Sequence, residues 1–141
     1  MAEGPIDLIR LEGEGNSVIL RITGKESIQT GSEVLVGEVL VDTAFVRGSQ
    51  RTWVFAEDLW EWRDALDGLD AGHEIAWREY TRAPEMFIER DQDQERANVT
   101  IKDHSMSMTT VTVTVSMADS WFDDAYERLD LVMKTWPLGK N

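Results

Sequence analysis

The chain has 141 residues, 42% of them hydrophobic and six of them tryptophan, which is enough for a single domain over residues 1–141 with a core of its own. It has no cysteine, which excludes a disulfide framework, thiol catalysis and thiolate metal sites. Twenty-seven acidic residues against 14 basic ones leave a net charge of -13, which repels phosphate backbones and anionic membranes and favours a basic partner.

The acidity is concentrated in the middle of the chain, where Glu57 to Glu95 holds 13 acids and 4 bases. The opening "MAEGPIDLIRLEGEG" lacks a basic and apolar leader pattern, and no stretch approaches the roughly 18 apolar residues of a spanning helix. The expectation is a soluble cytoplasmic protein. "NVT" at Asn98 to Thr100 then reads as a chance match to a glycosylation sequon.

Four strand-like runs come first, at 6–13, 16–24, 32–43 and 49–55, rich in Val, Ile and Leu and separated by Gly, Asn and Ser. In "NSVILRITG", Val18, Leu20 and Ile22 share one face and Ile19, Arg21 and Thr23 the other, the alternation of a half-buried sheet. The glycines of "LEGEGNS" (11–17) lack the spacing and following helix of a phosphate loop and read as a hairpin turn.

"EDLWEWRDALDGLD" predicts a helix over 57–70, with Glu57 and Asp58 at the positive end of its dipole and Gly72 as its stop. Trp60 and Trp62 are two positions apart, hence about 200° apart around the axis, so one apolar face cannot take both. A buried stripe of Leu59, Trp62, Leu66 and Leu69 puts Trp62 in the core. Trp60 then projects from the opposite side, flanked on the helical wheel by Glu57, Asp64 and Asp67. An exposed tryptophan ringed by carboxylates suits anchoring to a basic protein, although a covering loop or the 44–50 segment is an equally physical reading.

Short strands return at 73–80, 84–91, 97–104 and 108–117, the last alternating Val111, Val113 and Val115 with Thr110, Thr112 and Thr114. Between them, Asp91, Asp93 and Glu95 stand at alternate positions like the opening of a calcium loop, but without the Gly and distal Glu of an EF-hand. A solvated turn explains them. His73 and His104 are the only histidines, too few for a transition-metal site without cysteine. "DHS" at Asp103 to Ser105 has the residue types of a hydrolase triad, yet neighbours on a strand point to opposite faces.

A second helix over 118–136 closes the chain, with Asp119 or Ser120 as N-cap and Phe122, Ala125, Leu129, Val132 and Trp136 on one face. Pro137 and Gly139 end it. The order ββββαββββα predicts an α+β fold: one antiparallel sheet of seven to eight strands with two helices packed on one face. "WRDALDGLD" (62–70) and "FDDAYERLD" (122–130) share Asp, Ala, Leu and Asp without a gap, which either a duplication or common helix grammar explains.

The runs "GSEVLVGEVLVDTAFVRGSQRTWVF", "EDLWEW", "DAGHEIAWRE", "PEMFIERD" and "DSWFDDAYERLDLVMKTWPL" together resemble a group of small acidic actinobacterial proteins of unknown function, from Ile6 to Leu138. The order of strands, acidic helix, meander and final helix more loosely resembles WapI-type immunity proteins of polymorphic toxin systems. Neither resemblance implies a site residue or a cofactor.

Three functions fit these observations. The first is a non-enzymatic, immunity-like protein whose Glu57, Trp60, Asp64 and Asp67 engage a basic partner. The second is a small-molecule binder or enzyme with a cup lined by Trp53, Trp77 and Tyr80. The third is a structural or assembly subunit that pairs through uncovered sheet edges, as a homo-oligomer. No catalytic, metal or cofactor motif singles out the second.

Overall fold

The structure is a computed structural model that describes residues 4–138. Strands β1 (Ile6–Gly13), β2 (Asn16–Ser27), β3 (Glu33–Asp42) and β4 (Arg47–Val54) form one antiparallel meander, followed by helix α1 (Ala56–Asp70). Strands β5 (Ile75–Trp77), β6 (Glu85–Asp91), β7 (Arg96–Asp103) and β8 (Thr109–Ser116) form a second, followed by α2 (Trp121–Thr135). The strand orders are β1-β2-β3-β4 and β5-β6-β7-β8, so each sheet is built from consecutive hairpins.

The α+β class holds, but the single eight-stranded sheet does not. Eight strands about 4.8 Å apart span almost 40 Å, and two helices about 10 Å across cover only half of that width. Two smaller sheets solve the burial problem because each supplies cover for the other. Val18, Leu20 and Ile22 of β2 and Val99, Val113 and Val115 of β7 and β8 belong to one continuous buried cluster. β8 lies against β1 and β2, where Asn16 Nδ2 donates to the Thr114 carbonyl at 2.8 Å.

Nor do the helices share one face of one sheet. α1 follows the first meander but packs on β5 and β6, whereas α2 follows the second and packs on β1, and the two helices touch. Each half is therefore closed by the helix of the other.

Sequence signals account for the ends of these elements. The Glu14-Gly15 loop has positive φ at both residues, the turn that matches strand twist, so the 11–17 segment is a hairpin. Gly13 (φ 140) meets β8 so closely that a Cβ there would lie 2.0 Å from Ser116 Oγ and 2.6 Å from the Ser116 nitrogen. At the end of α1, Gly72 takes φ 94, and the Gly72 and His73 N–H groups donate to Leu69 and Gly68 carbonyls. In α2, Ser120 holds the N-cap position without a side-chain hydrogen bond, and Asp119 is drawn off to Arg90. Gly139, the expected end of that helix, lies outside the described residues.

The ββββα order occurs twice, yet the shared Asp-Ala-Leu-Asp positions fall at the end of α1 and near the start of α2. They occupy equivalent faces, with Ala65, Leu69, Ala125 and Leu129 all buried, but not equivalent turns.

Candidate functional site

The expected division of the two tryptophans is observed. Trp62 is fully buried, its ring tilted against Trp77 at 5.3 Å, while Trp60 is 58% exposed on the far side of α1. Leu59, Leu66 and Leu69 share the buried stripe, joined by Ala65 and Asp58. Asp58 is buried because it caps the helix: its Oδ2 accepts the Phe55 N–H at 2.9 Å. Burial pushes its carboxyl above the usual range, against the pull of that hydrogen bond and of Arg78.

Glu57, Trp60 and Asp64 lie together on the exposed face. Among the described residues their side chains have no hydrogen bond or ion pair. Glu61 belongs with them, one turn beyond Glu57, also exposed and, among the described residues, also without a hydrogen bond or ion pair. Sequence reasoning passed over Glu61, although the i,i+4 spacing from Glu57 places it there. The result is an indole among three solvated carboxylates.

Asp67 is the exception. It accepts a short hydrogen bond from the Tyr126 hydroxyl of α2, and burial together with that carboxylate raises the tyrosine well above its ordinary pKa. Beside it, Arg63 pairs with Asp130 at 2.8 Å. This flank of α1 is committed to the other helix, so Asp67 is at the margin of the open patch.

The other candidates resolve individually. Trp53, Trp77 and Tyr80 do not line one cup: Trp77 is closed in the core with its Nε1 on the Asp58 carbonyl, and Tyr80 is 91% exposed. Asp103 and His104 do point apart. Asp103 is occupied by the Ser107 hydroxyl and N–H and the Met106 N–H; these bonds and one from Gln50 outweigh burial and hold its carboxyl low. Ser105 donates to the Arg82 carbonyl at 2.8 Å, so the triad does not assemble.

His104 instead meets Glu85, its Nε2 2.8 Å from Oε1, while Glu85 Oε2 accepts the Tyr80 N–H at 2.7 Å. Glu85 is buried and its two oxygens are both engaged, which makes the pair a clamp on the 80–85 loop. His73 is exposed just past the end of α1. Asp91 accepts the Gln94 N–H as part of the β6–β7 turn, and among the described residues no three histidine or acidic side chains converge around a metal position. Among the described residues, no helix is long and apolar enough to cross a membrane.

A family model described as a family of unknown function, DUF5959, matches residues 6–137. The chain belongs to that family. The DUF5959 match runs from the start of β1 to just beyond α2, so both sheets and the exposed face of α1 lie inside it. It agrees with the resemblance to proteins of unknown function. No curated protein matches the chain.

Proposed function

We propose that this chain is a cytoplasmic, non-enzymatic protein-binding domain whose acidic α1 face engages a basic partner, in the manner of an immunity protein. One observation carries the reading. Trp60 is held 58% exposed on α1, among Glu57, Glu61 and Asp64, and among the described residues none of these side chains has a partner. Exposing an indole costs hydrophobic free energy, and unpaired carboxylates on one face repel each other, so the patch does nothing for the fold. An aromatic anchor rimmed by charge is what a protein interface concentrates its binding energy on. Membership of a family without an assigned activity is compatible with this role.

The test is affinity capture from the source organism at low and at moderate salt, with wild type and with the Trp60→Ala, Asp64→Lys double variant. The expected result is a basic protein retained by wild type, released by salt and lost in the variant. Equal retention by both proteins removes the site, and retention of no basic protein removes the role.

A further inference from the structure

β4 is an edge strand, and its free edge has definite polarity. The Thr43 N–H donates to the Val46 carbonyl at 2.8 Å, which makes Thr43/Val46 a hydrogen-bonded pair at the end of the β3–β4 hairpin. In an antiparallel ladder such pairs alternate. Val41/Gly48, Val39/Gln50 and Gly37/Thr52 therefore bond to each other, and the N–H and C=O groups of Ser49, Arg51 and Trp53 point away from β3. An independent contact agrees, since the Trp53 carbonyl reaches outward to Arg78 Nη1 at 3.0 Å. Arg78 thereby blocks the edge at Trp53, leaving Ser49 and Arg51 open.

Two concavities flank this edge. On its inner side a cleft of about 270 Å³ enters between the sheets, lined by Val39, Val41, Pro84, Ile101 and Val111. On its outer side a groove of about 520 Å³ is lined by Trp53, Phe55, Met106, Arg51 and Arg82. Gln50 and Pro84 line both, so the two adjoin across these residues beside β4.

The charged side chains of the outer groove, Arg51 and Arg82, are both basic, opposite in sign to the molecule, while the inner cleft holds Arg47, paired with Asp42, and Asp103, bonded to Ser107. Among the described residues, Arg51, Arg78, Arg82, Lys102 and Lys134 are the cations that form no salt bridge, Arg78 facing Asp58 only at longer range. Two of the five line the outer groove and a third blocks its end, in a chain with nearly two acids for every base. Arg51 lies over the Trp53 ring at 5.6 Å instead of on an acid.

We propose that the free edge of β4 seats an extended acidic segment of a partner protein, which adds to the sheet as a fifth strand. Its backbone bonds to Ser49 and Arg51, alternate apolar side chains enter the inter-sheet cleft, and the carboxylates between them face Arg51 and Arg82. A second copy of this chain is a poorer occupant, because edge-to-edge pairing crowds Arg47 and Arg51 of both chains into one ribbon. This surface is separate from the α1 face and stands or falls independently of it.

The test is to pan a random peptide display library, about twelve residues long, on wild type, with counter-selection on Ser49→Pro. Proline there removes only an N–H that faces away from β3, which an edge strand tolerates. A second variant, Arg51→Glu with Arg82→Glu, keeps the backbone and reverses the charge. Circular dichroism and thermal unfolding establish that each variant is folded. Peptides alternating apolar and acidic residues, at least tenfold weaker on both folded variants, are expected. Should Ser49→Pro fail to fold, the charge variant alone decides. Enrichment of basic peptides, no enrichment, or equal binding to the folded variants overturns the proposal. So does a wild-type dimer in sedimentation that either variant turns into monomer, since the edge then belongs to a second copy.

Discussion

Replacing Trp62 by alanine should cost about 3 kcal/mol, and replacing Trp60 should cost almost nothing. A tryptophan side chain buries about 200 Å², worth about 5 kcal/mol at ~25 cal/mol per Å². Alanine keeps only a small part of that, and incomplete collapse around Trp77 leaves a cavity that adds to the loss. Against this, the Trp62 Nε1–H is buried without a partner among the described residues, and removing an unsatisfied donor returns about 1–2 kcal/mol. The balance is a loss of about 3 kcal/mol, or about 10 °C in Tm for a chain of this size. Trp60, more than half exposed, should change stability by less than about 0.5 kcal/mol. Urea unfolding of wild type and both variants measures this, provided the slope against denaturant stays constant. A Trp60→Ala loss above about 1 kcal/mol would show that Trp60 is covered in solution, and the argument for an interface on α1 would go with it.

Gly13→Ala should destabilise by at least about 2 kcal/mol, because φ 140 and the Ser116 backbone both oppose a Cβ. Adding Ser116→Gly should recover only part of that, measured by the same unfolding curves, since the backbone nitrogen remains 2.6 Å from the new carbon. Asp7→Asn tests the ion pairs with Arg10 and Arg21, at 2.7 and 2.8 Å. Burial opposes the Asp7 charge, but the hydrogen bonds from Arg21 and Arg10 outweigh it and hold the folded carboxyl below its ordinary 3.8. A depressed acid stabilises above its unfolded pKa, so the variant should be weaker by about 2 kcal/mol at neutral pH. The gap should close as pH falls below 3.8 and through the lower folded value; a gap independent of pH would place the effect outside the carboxylate charge.

The buried stripe of α1 was legible because Leu59, Trp62, Leu66 and Leu69 repeat at helical spacing, and Gly72 marked its end through a φ that favours glycine. The strand read over 73–80 stops instead at Trp77, because Arg78 and Tyr80 adopt φ 62 and 67 without any glycine or asparagine to announce the turn. What holds Arg78 there is tertiary: it reaches the Trp53 carbonyl, faces Asp58 and lies 4.6 Å over the Trp77 ring. Burial pushes its guanidinium down to about 10, a cost that no local pattern in "WRE" reveals. The same limit explains the sheet. Alternation in β2 and β8 tells which face is buried, and nothing in it tells whether the cover is a helix or another sheet. The bond of Asp67 was hidden for a related reason, since its partner Tyr126 lies 59 residues away on a helix whose position depends on the exchange of α1 and α2 between sheets.

The charge of the chain illustrates how a sum differs from its distribution. At physiological salt the screening length is about 8 Å, so a partner at a distance feels the net -13 but a segment in contact feels the few groups around it. On α1 both scales have the same sign, and the proposed basic partner, attracted from afar, would meet Glu57, Glu61 and Asp64. Along β4 they oppose each other. An acidic segment is repelled at long range and attracted only once Arg51 and Arg82 are within reach, which slows its association without weakening the final contact. Raising salt should therefore speed association of an acidic peptide at β4 while it slows association of a basic protein at α1.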